Sequence, residues 1–129
     1  MLYKNSLPLR WITLVDTLIL FGPALYDKNA YPAQFNSGFT EIIRAPESWR
    51  KTDTLNLLES FTGNFLIVMG EKDEVIPPGV IELIVNHTPN VKKKELYIIP
   101  NCPHRINTWI IDQKLEQAKL HEKILEYVK

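Results

Sequence analysis

An α/β fold, with helices layered on both faces of a parallel sheet, is the class this sequence predicts, and three observations predict it. Val15–Phe21 and Phe65–Met69 are short runs that stay apolar without alternating, as strands do when neither face of their sheet meets water. A third strand is expected at Glu95–Ile99, and the segments between and after the strands carry helical signals instead of hairpin turns. Finally, the second and third strands each run directly into a loop bearing a chemically useful side chain. These are Asp73 in Gly70-Glu71-Lys72-Asp73-Glu74-Val75-Ile76-Pro77, and His104 in Pro100-Asn101-Cys102-Pro103-His104. The carboxyl ends of parallel strands are where such sheets open into a crevice.

Taken in order, the first strand ends at Gly22-Pro23. The stretch from about Ala24 to Gly63 is longer than an ordinary connection and rich in aromatic residues, among them Tyr26, Tyr31, Phe35, Phe39 and Trp49. It holds two short helical candidates, Phe39–Arg44 and Asp53–Ser60, the second with Asp53 placed to cap it. A structured insertion of this length reads as a lid or binding element. After the second strand, Pro77-Pro78 opens a helix that runs to about Asn86, because the first turn of a helix has no use for the N–H groups that proline lacks. Strand, helix and strand then make a right-handed parallel crossover. From about Ile110 onward, Leu115, Ala118, His121, Ile124, Leu125 and Val128 mark one stripe of a closing helix. No repeat, low-complexity tract or linker divides the chain, so residues 1–129 are read as one unit with a cap-like segment at about 24–63.

Composition narrows the function classes. Fifteen Lys and Arg balance fifteen Asp and Glu, so overall charge argues for neither nucleic acid nor an anionic membrane as partner. Lys92-Lys93-Lys94 is expected in a solvated turn before the third strand. Trp11–Phe21 follows Lys4 and Arg10 but is broken by Asp16 and too short to span a bilayer, so a buried strand is expected there and neither a signal peptide nor a membrane span. The lone Cys102 permits no internal disulfide and fits a reducing, cytoplasmic setting. His87, His104, His121 and Cys102 have no metal-ligand spacing, and no Gly-rich phosphate loop follows a strand; neither a metal nor a cofactor is expected.

The chemistry therefore centres on Asp73 and His104. A carboxylate that fixes one imidazole nitrogen leaves the other free to take a proton from a hydroxyl and return it to a leaving group. Glu71 and Glu74 are rivals for the acid but read as exposed charges beside it. Either Asp73 or His104 alone could merely finish a loop, and an unrelated small α/β domain would place them so; their order at the ends of successive strands is what pairs them.

Gly70, Asp73 and Pro77 match the Gly-x-x-Asp-x-x-x-Pro turn, and His104 the histidine loop, of a known family: the chain resembles the C-terminal part of the α/β-hydrolase fold, from about Val15 to its end. The resemblance implies ester or acyl hydrolysis through a Ser-His-Asp triad, a small-molecule ester or acyl substrate, and catalytic roles for Asp73 and His104. It also implies a Gly-x-Ser-x-Gly elbow and oxyanion donors, and the sequence has no such elbow. Of Ser6, Ser37, Ser48 and Ser60, only Ser37 has a neighbouring glycine, and it reads as a turn residue; Cys102 lies too near His104 in sequence to face it. The expectation is a truncated hydrolase with acid and base but no nucleophile, inactive alone, self-associating or pairing with an N-terminal half. The alternative is a non-catalytic module, or one half of a split hydrolase, that pairs through an exposed sheet edge.

Overall fold

The computed structural model describes residues 14–25, 29, 41, 47–52 and 54–129. Three parallel strands, β1 (Thr17–Phe21), β2 (Asn64–Gly70) and β3 (Lys93–Ile99), lie in the order β1-β2-β3. Leu18, Leu20 and Phe21 stand opposite Phe65, Ile67 and Val68 of β2, which in turn face Lys94, Leu96 and Tyr97 of β3 wherever the register pairs them. The helices are α1 (Leu55–Glu59), α2 (Pro78–Asn86), α3 (Ile106–Trp109) and α4 (Lys114–Val128), with 3-10 turns at Ser48–Lys51 and Ile110–Asp112.

β2 explains the layering. Its side chains alternate between faces, and both faces are apolar because both are covered. Phe65, Ile67 and Met69 pack with Leu20, Leu58, Phe61, Val80 and Ile84, which come from β1, from α1 and the residues after it, and from α2. Leu66 and Val68 pack with Ile99, Ile106, Leu120 and Tyr127, which bring in β3, α3 and α4. The described helices of both crossovers, α1 and α2, thus lie on one side of the sheet and the chain after β3 covers the other, giving the three-layer α/β sandwich that the sequence predicts. No helix among the described residues is long and apolar enough to cross a membrane.

Three expectations need adjustment. β1 is not buried on both faces: only Leu20 is buried, Thr17–Ile19 are half-buried and Phe21 is 44 % exposed, because among the described residues β1 has a neighbour on one side only. Lys93 and Lys94 belong to β3 and not to the turn, their backbones registered with Asn64 and Phe65. The Lys93 ammonium lies 4.2 Å from the Tyr127 ring centre, while Lys94 reaches the end of α2, so both long side chains have structural partners. The buried line of α4 is Leu120 and Tyr127, with Ile124 beside them, whereas Leu115 and Val128 are exposed and Ala118 and His121 also face outward. Tyr127 is absent from the expected stripe; its phenol reaches Glu95 (3.1 Å) at the rim while its ring fills the core, as an amphipathic side chain can. The helical candidate Phe39–Arg44 and the capping role of Asp53 fall outside the described residues, as does most of the cap-like segment.

The end of α2 shows how local chemistry stops a helix. Its final carbonyls would otherwise lack partners. The Leu83 carbonyl accepts from the His87 backbone (3.0 Å), the Ile84 carbonyl from the Thr88 hydroxyl (3.2 Å), and the Val85 carbonyl from the Lys94 ammonium (2.8 Å). The same ammonium donates to the Thr88 carbonyl (3.3 Å), where it also meets the negative end of the helix dipole. Lys94→Met, which keeps the aliphatic stem, should lower stability by about 0.5–1 kcal/mol; a urea-unfolding midpoint unchanged from wild type would show that the lysine does not cap the helix.

Candidate functional site

The three strands end side by side, and the loops they feed meet. β2 ends at Gly70, where a Cβ would overlap the carbonyl oxygens of both Cys102 and Pro103. Only a residue without a side chain lets the two loops close to this distance. Their backbones are then tied together: Glu71 N–H donates to the Ile99 carbonyl (3.0 Å) and Lys72 N–H to the Cys102 carbonyl (2.8 Å). The Glu71 carboxylate accepts from Asn101 N–H (2.9 Å), a residue whose φ of 63° is the left-handed conformation that asparagine tolerates. Glu71, a rival for the acid, therefore holds the histidine loop in shape, and Glu74 is exposed.

Asp73 and His104 face each other across this junction, with Oδ2 of Asp73 2.8 Å from Nδ1 of His104. The other carboxylate oxygen, Oδ1, accepts from the backbone N–H groups of Val75 (2.8 Å) and Ile76 (3.0 Å) in an Asx turn. Both oxygens are therefore engaged, and the Asp73 side chain is 2 % exposed against 34 % for His104. The aspartate is the anchored partner and the imidazole the accessible one.

Burial is the largest single influence on the Asp73 carboxyl and opposes its ionisation. The hydrogen bonds from Ile76, His104 and Val75, with the charge attraction of His104, together outweigh it and hold the pKa below the usual aspartate value. An ionised Asp73 can only accept, so Nδ1 carries the proton in the hydrogen bond, and Nε2 is the ring nitrogen left to exchange a proton with a reacting group.

Gly22, immediately after β1, completes the floor. Its φ is +52°, and a Cβ there would sit 3.4 Å from Cε1 of His104 and 3.9 Å from Oδ2 of Asp73. Its N–H donates to the Val68 carbonyl (2.8 Å), continuing the β1–β2 ladder to the site. From sequence, Gly22-Pro23 reads only as the end of a strand. A glycine at the carboxyl end of a strand that neighbours the acid's strand was the available signal for a close approach.

Beside His104 opens a cavity of about 500 Å³, within the size range of small-molecule sites. Its walls are largely apolar, with Leu20, Leu25, Trp49, Ile76 and Val80 among them, and Ser48 also lines it. Trp49 in this wall was not singled out from sequence beyond being one of many aromatics. Ser6 and Ser37 lie outside the described residues, and Ser60 follows the last turn of α1. Cys102 is buried, its thiol donating to the Pro103 carbonyl (3.3 Å), and burial first and the Asp73 charge second push its pKa up, the signature of an inert thiol. Among the described residues no three His, Cys, Asp or Glu side chains are grouped to hold a metal.

With this geometry in view, the comparisons decide the family. The sequence model of the alpha/beta hydrolase fold matches residues 16–109, most of the chain and all three strands. The chain belongs to the α/β-hydrolase family. Comparison with curated proteins gives no match. Among solved structures, a Bacteroides ovatus protein described as a dipeptidyl aminopeptidase IV superposes with a TM-score of 0.56 at 20 % identity, over 92 % of this chain and 16 % of its own. The Pyrococcus furiosus esterase Pf2001 gives 0.56 at 13 % identity, over 94 % of this chain and 49 % of its own. A meta-cleavage product hydrolase from Pseudomonas fluorescens gives 0.54 at 15 % identity, over 92 % and 57 %. At these identities the likeness concerns the fold, and the chain spans between 16 % and 57 % of the length of these proteins.

The pairing has a consequence for stability. Because Asp73 has a lowered pKa in the folded state, its contribution is fully present above the unfolded value of about 4 and is lost as pH falls through the folded value. The stability gap between wild type and Asp73→Asn should therefore be widest at neutral pH and shrink progressively below about pH 4. Urea midpoints measured across pH 2 to 7, in roughly unit steps, check this; a gap that stays constant with pH would mean the carboxylate charge has no folded-state partner.

Proposed function

We propose that Asp73 and His104 are the acid and base of a hydrolase acting on esters or related acyl compounds, and that the attacking hydroxyl comes from outside the segments described above. The observation that carries this reading is the 2.8 Å contact between a nearly fully buried, doubly anchored carboxylate and an imidazole that stays about one-third accessible. In this role the Nε2 atom of His104 removes the proton from a serine hydroxyl as it attacks the acyl carbon, then returns it to the departing alcohol. A water molecule repeats the sequence on the acyl-enzyme, regenerating the serine. Asp73 holds the ring in the tautomer that makes Nε2 a base and stabilises the imidazolium that forms. The apolar cavity beside His104 supports an apolar acyl or alcohol portion in the substrate.

In the family the nucleophile and one of the oxyanion donors lie on a Gly-x-Ser-x-Gly elbow, which this sequence lacks. We therefore read residues 1–129 as inactive by themselves, with the elbow supplied from outside them. A second reading, a non-catalytic module that binds a partner through the sheet edge, draws on β1. Its outer side is unpaired among the described residues, and Leu14, Val15 and Phe21 at or beside it are exposed.

One experiment separates the two. Hydrolysis of a short-chain p-nitrophenyl ester is measured for the chain alone, and again after mixing with the N-terminal half of a family hydrolase that contains the elbow. Complementation should yield turnover that falls by about 10⁴-fold in Asp73→Ala and His104→Ala versions of this chain. Turnover unaffected by either substitution would remove the pair from the mechanism, and a stable, inactive homodimer that ignores the added half would leave the binding module.

A further inference from the structure

Within the cavity wall one side chain is fixed in a way that the acid–base pair does not require. Trp49 sits in the 3-10 turn Ser48–Lys51, and its indole edge lies directly on Gly79 in the first turn of α2. A Cβ at Gly79 would overlap Cη2 of the ring and come within 2.9 Å of Cζ2. The Arg50 guanidinium stands 4.6 Å from the centre of the same ring, on its face, and makes a 3.3 Å ion pair with Glu47. The ring thus rests at its edge on the α2 backbone with a cation over its face, and the same side chain lines the cavity beside His104. Gly79 lies in the first turn of α2, and its missing side chain has a packing consequence: it seats the indole.

We infer that Trp49 sets the size of the apolar group accepted beside His104, acting as the stop of the cavity with Gly79 as its seat. Trp49 is a specificity-determining residue in this account and takes no part in proton transfer. The inference deepens the reading of this cavity as the acyl or alcohol site of the proposed hydrolase, and it commits to a straight-chain apolar group as the ligand chemistry. Each added methylene that is buried strengthens binding about fourfold. Once the chain meets the indole, further methylenes have nowhere to go and affinity levels off. An indole covers roughly the area of five methylenes, so its removal should extend the usable length by at least about two carbons even if the site partly collapses.

The test measures binding of straight-chain alcohols, from butanol to decanol, to the full chain by calorimetry, which needs neither nucleophile nor turnover. The wild-type affinity should climb by about fourfold per carbon and then level off. In Trp49→Ala the levelling point should move at least about two carbons longer, and in the milder Trp49→Phe by a smaller step in the same direction. Should the alanine variant not fold, the phenylalanine variant decides alone. A levelling point at the same length in the folded variants, a wild-type series without one, or no alcohol binding at all would each overturn the assignment. Loss of ester hydrolysis in the complementation experiment with a shifted levelling point would sink the acid–base reading and leave Trp49 as the stop; the reverse combination would do the opposite.

Discussion

The site depends on one backbone contact, the approach of Gly70 to the carbonyls of Cys102 and Pro103. Everything at the carboxyl edge of the sheet is arranged around it. β2 and β3 run parallel in strict register through Gly70 and Ile99, so their exit loops start as neighbours, but neighbouring strands alone would leave two side chains free to point anywhere. Closing the loops onto each other allows the Glu71 and Lys72 N–H groups to bond to carbonyls of the opposite loop. That junction converts two separate loops into a rigid mount. Asp73 and His104 can then face each other without either needing a long, flexible side chain to search for its partner. The order in which residues matter is therefore glycine first, backbone second, acid and base last.

The second constraint is the central strand. Since both faces of β2 are apolar, helices must cover both, and the sheet's chemistry is forced to its edge. Burial then sorts the two members of the pair. Asp73 lies inward, where two N–H groups and the imidazole compensate its charge, while His104 keeps a third of its surface open toward the cavity. A carboxylate in that environment is a fixed electrostatic reference, and the exposed ring nitrogen is the part able to reach a reacting group.

Much of this was legible in the sequence. Uninterrupted apolar runs identified β2 and β1, the Pro77-Pro78 pair placed the start of α2 to within a residue, and the acid and histidine loops stood out because each directly follows a strand. What was not legible has physical causes. Lys93 and Lys94 read as a solvated turn because lysine's charge conceals how much packing its stem can do and how well its ammonium caps a helix. The face of α4 was misjudged for a similar reason, with Tyr127 hiding a core role behind a polar tip. Gly22 and Gly79 marked close approaches whose partners, His104 and Trp49, are distant in sequence, and a single chain pattern carries no information about which distant group fills the space a glycine leaves.

The central claim is that Asp73 orients His104 as a base, and the most direct measurement is nitrogen-resolved NMR of the His104 ring in the full chain and in Asp73→Asn. The account predicts a neutral ring protonated at Nδ1, with that proton in a strong hydrogen bond and Nε2 bare, and loss of the shifted Nδ1 proton signal when the carboxylate is replaced. A ring protonated at Nε2, or an Nδ1 signal indifferent to the substitution, would contradict it.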